Sequence, residues 1–143
     1  MKWNTHMVLG LAVGTILAAK TGLPAAGAII STAAAVIPDM DAVGAAAAFI
    51  KPVLGHRTAT HSLLAVFVIS YIAKLLYPAG WLFFAAGYGS HILADMLNPS
   101  GVQLFYPFGH KIGIPLVKTG GFVERFILFP MVCLVLVILS VQS

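Results

Sequence analysis

The chain has 143 residues, which suits one domain, and it is 60% hydrophobic and 8% charged with a mean hydropathy of +1.01. A soluble domain carries about 25% charged residues, so this composition excludes an ordinary solvated surface. The net charge of +4 comes from basic residues scattered between apolar runs, with no basic face or cluster, which excludes a nucleic-acid binder and fits loops beside lipid headgroups.

Lipid must therefore solvate most of the chain, and backbone exposed to lipid is either helical or a closed barrel. Long Ala- and Leu-rich runs without alternation favour helices. The expected architecture is all-α, a polytopic integral membrane bundle of about five apolar helices forming a single domain over residues 1–143. Met7 to Ala19 is the first apolar segment, bounded by Lys2 and Lys20. Its pattern also describes a signal peptide, but no polar mature domain follows for it to export. Gly10 and Gly14 form a G-x-x-x-G that permits close helix contact. Thr21-Gly22-Leu23-Pro24 reads as a turn, and Ala25 to Ile37 as a second helix of small residues, suited to tight internal packing. It stops at Pro38-Asp39-Met40-Asp41. Ala42 to Pro52 is too short to span and reads as a loop or interfacial helix.

The stretch Gly55-His56-Arg57-Thr58-Ala59-Thr60-His61-Ser62 concentrates polar side chains in a sequence that otherwise avoids them. Thr60 or Ser62 can cap the third helix, which runs to about Tyr77 with Lys74 reaching toward headgroups. Pro78-Ala79-Gly80 turns into a fourth helix, Trp81 to Leu97, which Asn98-Pro99-Ser100-Gly101 ends. Val102 to Gly121 is a long connection whose aromatics, Phe105-Tyr106-Pro107-Phe108, suit headgroup level and can line substrate entry. Phe122 to Val141 is the last and most lipid-like span. Cys133 lies inside that run and has no partner for a disulfide.

If the chain crosses at each apolar segment, then His6, Asp39/Asp41, His56/His61 and His91/Asp95 all fall on one membrane face. Buried ionisable groups cost roughly 2.5 to 3.5 kcal/mol each on insertion scales, so the membrane itself gives no reason for this segregation. His91 and Asp95 are spaced i, i+4 and share one helix face. Asp39 and Asp41 diverge on an extended segment, so Asp39 is read as a direct ligand and Asp41 as a second ligand or an orienting group. Imidazole and carboxylate together suit a divalent metal, Zn2+ first and Mn2+ second. The candidates (His6, Asp39, His56, His61, His91 and Asp95) exceed one catalytic site of three ligands, so one or two ions are expected. Arg57 is placed to stabilise charge developing on a phosphoryl group. His110 matches no cluster.

The ordered set Pro38-Asp39-Met40-Asp41, His56-Arg57-x-x-Thr60-His61-Ser62 and His91-x-x-x-Asp95, with Gly101-Val102-Gln103-Leu104 after it, resembles the YdjM-like family of membrane-bound metal-dependent hydrolases. The resemblance covers roughly His6 to Pro107. It implies metal ligation by Asp39, His56, His61, His91 and Asp95, and a distant likeness to zinc-dependent phospholipase C and P1-type nucleases. Thr58 stands where the family commonly has Gly after the His-Arg pair.

The function expected on these grounds is metal-dependent hydrolysis of a phosphoester, of which a phospholipid is one kind, at the membrane surface. The competing expectation, a transporter or proton-relay subunit, calls for polar residues at mid-membrane, and these helices carry theirs at the ends. Lys2, Lys51, Arg57, Lys111, Lys118 and Arg125 fall on the site face against Lys20 and Lys74 on the other. That bias puts the site and the N-terminus on the cytoplasmic side of the cell (inner) membrane.

Overall fold

The computed structural model of the protein describes residues 1–42 and 58–142, without the side chains of Asp41, Ala42 and Gln142. His56, Arg57 and most of the expected interfacial segment lie outside the described residues. Within them run five α-helices: α1 (Trp3–Thr21), α2 (Gly27–Ala34), α3 (Leu63–Leu76), α4 (Trp81–Met96) and α5 (Phe129–Gln142). Two 3-10 turns, Ile37–Ala42 and Ala59–His61, follow α2 and precede α3, and a π turn, Glu124–Leu128, runs straight into α5. No strand forms among the described residues beyond one antiparallel bridge, Val102 to Ile112.

Local chemistry sets the boundaries. The first helix begins at Trp3, earlier than its apolar run, because Glu124 receives the Lys2 backbone N–H at 2.6 Å and the Thr5 hydroxyl at 2.8 Å. A carboxylate there satisfies an orphan donor and complements the positive end of the helix. Gly22, in the left-handed conformation at φ 66°, closes α1 by bonding the Ala18 carbonyl at 3.0 Å. The second α-helix is shorter than expected, because the chain tightens into a 3-10 turn around Pro38. Ser62 caps α3: its Oγ accepts from Ala65 N at 3.1 Å and donates to the Ala59 carbonyl at 2.7 Å. In the π turn Phe129 N–H reaches back five residues to the Glu124 carbonyl, just before Pro130, which has no N–H to offer.

Helix α1 packs on α2, α4 and α5, and α3 packs on α4. The α1–α2–α4 contact is close because glycines meet backbone there. A Cβ on Gly10 would lie 2.6 Å from the Ala35 Cβ, and one on Gly87 would lie 2.7 Å from the Ser31 carbonyl carbon. Buried Ser31 locks the contact by donating to the Gly10 carbonyl at 2.7 Å. The G-x-x-x-G of α1 is therefore a packing face, with Gly14 against Ala28 and Ser31.

The outer helices present the opposite surface. Leu64, Phe67, Tyr71 and Leu75 on α3, and Phe126, Leu134, Val137 and Val141 along the last helix, are exposed. Apolar faces of this extent are what lipid covers and water does not. Of the expected spans, one stretch of the described residues, Glu124–Val141, is long and apolar enough to cross a membrane, with mean hydropathy 2.3 over 18 residues. The apolar stretch Gly27–Met40, which joins α2 to the 3-10 turn after it, and the helix Leu63–Leu76 are shorter than that. A helix of 14 residues such as α3 reaches about 21 Å, against a hydrocarbon core of about 30 Å.

Candidate metal centre

Four elements deliver polar side chains to one point. His91 and Asp95 project from α4, one turn apart. Asp39 comes from the turn after α2, and His61 from the turn before α3. The turn carrying His61 is fastened to α4 by the buried Tyr88, whose hydroxyl donates to the Thr60 carbonyl at 2.6 Å. Asp39, His61, His91 and Asp95 are all buried, and one donor atom from each lies within 4.8 Å of the others. His6, from the first turns of α1, stacks on His91 with ring centroids 3.8 Å apart.

The spacings fit a bound cation. His61 Nε2 and His91 Nε2 face each other at 3.1 Å. Asp39 Oδ1 lies 3.5 Å from His61 Nε2 and 3.7 Å from His91 Nε2. Asp95 Oδ2 lies 3.7 and 3.8 Å from the same two nitrogens. A tetrahedral zinc with bonds to N and O of about 2.0–2.2 Å separates its ligand atoms by roughly 3.3–3.6 Å. The observed separations bracket that value, and most are too long for hydrogen bonds.

Protonation states follow from the partners. His91 Nδ1 lies 2.7 Å from the Ala35 carbonyl, which can only accept, so Nδ1 carries the hydrogen and the neutral ring turns its Nε2 lone pair inward. This is the second interaction that orients metal-ligating histidines. His61 Nδ1 lies 3.0 Å from the Thr60 hydroxyl, which leaves its Nε2 for the centre. His6 Nε2 stops 3.4 Å from Asp95 Oδ1, and neither of its ring nitrogens makes a hydrogen bond although the residue is fully buried. For Asp39, in the turn outside the helices, burial alone would raise the pKa. The adjacent His61 ring and the imidazoles of His91 and His6 outweigh it and hold the carboxyl below its ordinary value. The His61 and His91 Nε2 atoms turned inward beside an ionised carboxylate, walled off from water, make a site that can hold a metal ion.

Of the residues marked out in the sequence, the fold thus brings Asp39, His61, His91 and Asp95 together, with His6 beside them. The 3-10 turn contains Asp41, but its side chain, like His56 and Arg57, lies outside what is described. Three contributors had not been marked out. The Met1 amine lies 2.5 Å from Asp95 Oδ1, fully buried. Tyr88 fixes the His61 turn. Glu124, the one glutamate in the chain, is buried and accepts from Lys2 N, from Thr5 and, at 2.5 Å, from Gly120 N. An acid opening a lipid-like run was the available signal for Glu124. No pattern in the sequence signals the other two.

Fold and site together define a small α-helical membrane protein with a buried His/Asp centre able to take a metal ion. The YdjM inner membrane protein family matches residues 1–142, and the chain belongs to that family. It is similar to inner membrane protein YdjM of Escherichia coli K12, 42% identical over 103 residues that cover 64% of this chain and 50% of that protein. The YdjM of Shigella flexneri matches to the same extent. The uncharacterized protein YvsG of Bacillus subtilis 168 is 31% identical over 143 residues, 90% of this chain and 88% of its own. The chain spans about half the length of the two YdjM relatives. No solved structure matches it.

Proposed function

We propose that this protein is a membrane-embedded hydrolase that uses one or two divalent ions, zinc first and manganese second, to cleave a phosphoester at the membrane surface. The observation that supports this reading is the inward His61 and His91 Nε2 pair, flanked by Asp39 and Asp95 at spacings that suit a tetrahedral cation. The donors are imidazole and carboxylate without thiolate, the mixture found in hydrolytic rather than structural zinc sites. A bound divalent ion supplies a lowered pKa for its water and a Lewis acid for a phosphoryl oxygen.

The chain's own residues divide the remaining work. Asp95, His91 and His61 are inaccessible and anchor the site, whereas the Asp39 side chain is 9% exposed and is the donor nearest to solvent. Water reaches the centre on the Asp39 side in this reading. Arg57, four positions before His61 in sequence, neutralises charge on the phosphoryl oxygens, and Asp41 orients the attacking water or adds a ligand. The active face and the N-terminus lie on the cytoplasmic side, so a reporter fused after Ser143 is expected outside the cytoplasm.

The test is metal analysis of protein purified in detergent without chelator, followed by turnover of bis(p-nitrophenyl) phosphate. The wild type is expected to carry zinc and release p-nitrophenol. His61→Ala and Asp95→Ala are expected to lose both. Full metal retention by both variants, or a zinc-loaded wild type that turns over no phosphoester, would sink the proposal.

A further inference from the structure

Beside the metal centre lies an apolar groove of about 450 Å³. That volume falls in the range of roughly 300–1,000 Å³ typical of small-molecule sites. Met1 before α1, Leu9 and Val13 of α1, Leu93 of α4 with Leu97 just after its end, and Leu128 at the entry to α5 line it. Leu93 is 66% exposed, so the groove opens sideways on the surface that lipid covers. Two lining residues connect it to the metal centre: Ala94 precedes Asp95, and Met1 places its amine on Asp95.

Basic residues flank Met1 and Ala94. Val117 packs against Met1 and Ala94, which brings the exposed Lys118 to the rim. Lys2 follows Met1 and reaches the turn that Lys118 opens: a Cβ at Gly120 would lie 3.4 Å from Lys2 Cε, and Gly121 N bonds the Lys118 carbonyl at 2.8 Å. Exposed Arg125 lines the adjoining small cavity with Lys2. Apolar walls open to lipid, with lysines one residue from the groove residue Met1 and from Val117 packed on it, complement an amphiphile with a hydrocarbon tail and a negative head.

We infer that the groove between α1, α4 and α5 seats one acyl chain of an anionic phospholipid, with the headgroup phosphate held at Lys2 and Lys118 beside the metal centre. This rests on the phosphoester reading above and names its substrate class. A chain already in the bilayer gains little hydrophobic energy on entering an apolar groove, so selectivity comes from packing along Leu9, Val13 and Leu93 and from the lysines.

The test uses the full chain in detergent with dimyristoyl phosphatidylglycerol, its chain-free headgroup glycerophosphoglycerol, and dimyristoyl phosphatidylcholine. Native mass spectrometry measures retained lipid. The wild type is expected to retain phosphatidylglycerol over phosphatidylcholine and to bind no glycerophosphoglycerol. Val13→Trp and Leu93→Trp, which fill the groove, are expected to lose retention at least tenfold, while Leu75→Trp on the outer face of α3 keeps it. Lys2→Gln with Lys118→Gln is expected to erase the preference for the anionic lipid. Equal retention in the groove-filled and outer-face variants overturns the inference. A dimer that the groove variants dissociate, with lipid retention unchanged, overturns it also and assigns the groove to a second copy. Phosphoester turnover is read separately. Absent turnover with groove-dependent retention removes the hydrolytic reading and leaves the lipid site standing. Turnover of the phospholipid that the groove variants do not reduce removes the lipid site and leaves the hydrolase.

Discussion

Glu124 and Asp95 are both buried carboxylates in an apolar molecule, and their surroundings differ in kind. Glu124 is met by three donors, the Lys2 and Gly120 amides and the Thr5 hydroxyl, so its charge is answered within the fold. Asp95 takes the Met1 amine on Oδ1, and its pocket also holds a second carboxylate and three imidazoles, two of which turn Nε2 toward the same space. A carboxylate enclosed by N–H and O–H groups is a fastening. Two carboxylates and two imidazole Nε2 atoms that converge within 4.8 Å can hold a cation in addition to the Met1 amine. Buried polar groups have to be satisfied, and the manner of satisfaction separates the structural acid from the candidate ligand.

That contrast can be broken most directly by exchanging the roles. Asp95→Ala is expected to abolish zinc binding measured by elemental analysis, and Glu124→Ala to leave zinc stoichiometry at the wild-type value. The reverse pattern would dissolve the distinction. The next effect is on stability: Glu124→Ala strands the Lys2 and Gly120 amides and is expected to cost about 2 to 3 kcal/mol, read as a lower melting temperature in detergent. Glu124→Gln keeps an acceptor and is expected to recover part of it. Below this comes Thr60→Val, which removes the partner of His61 Nδ1. Zinc affinity by chelator competition is expected to fall 10- to 100-fold, the usual range for a group that orients a ligand. The smallest expected effect is Tyr88→Phe, which loses one hydrogen bond to the Thr60 carbonyl and about 1 kcal/mol, with zinc still bound. Unchanged zinc affinity in Thr60→Val would mean that His61 is oriented by packing alone.

Much of the fold was legible because hydrophobicity in a lipid-solvated chain follows directly from the residues. The five apolar helices, the Ser62 cap and the close G-x-x-x-G face of α1 all appear where the sequence placed them, with shifted ends. The ends moved where a distant residue intervened. Glu124 extends α1 to Trp3, and the turn at Pro38 shortens α2. The crossing count was less legible, since a 14-residue apolar helix and a full span share a composition and differ only in length.

For the site, the sequence by itself determined which side chains were available: imidazoles and carboxylates are so rare in this chain that each one outside the loops invited explanation, and the His91–Asp95 spacing put that pair on one face. Only the tertiary structure decided that Asp39 and His61 meet that pair within 4.8 Å, that the Ala35 carbonyl sets the His91 tautomer, and that Glu124 serves as a fastening. The physical reason is range. Helical periodicity fixes neighbours one turn apart, whereas these contacts join segments separated by 22 to 122 residues through the close approach of α1, α2 and α4 at glycine, which no local pattern encodes.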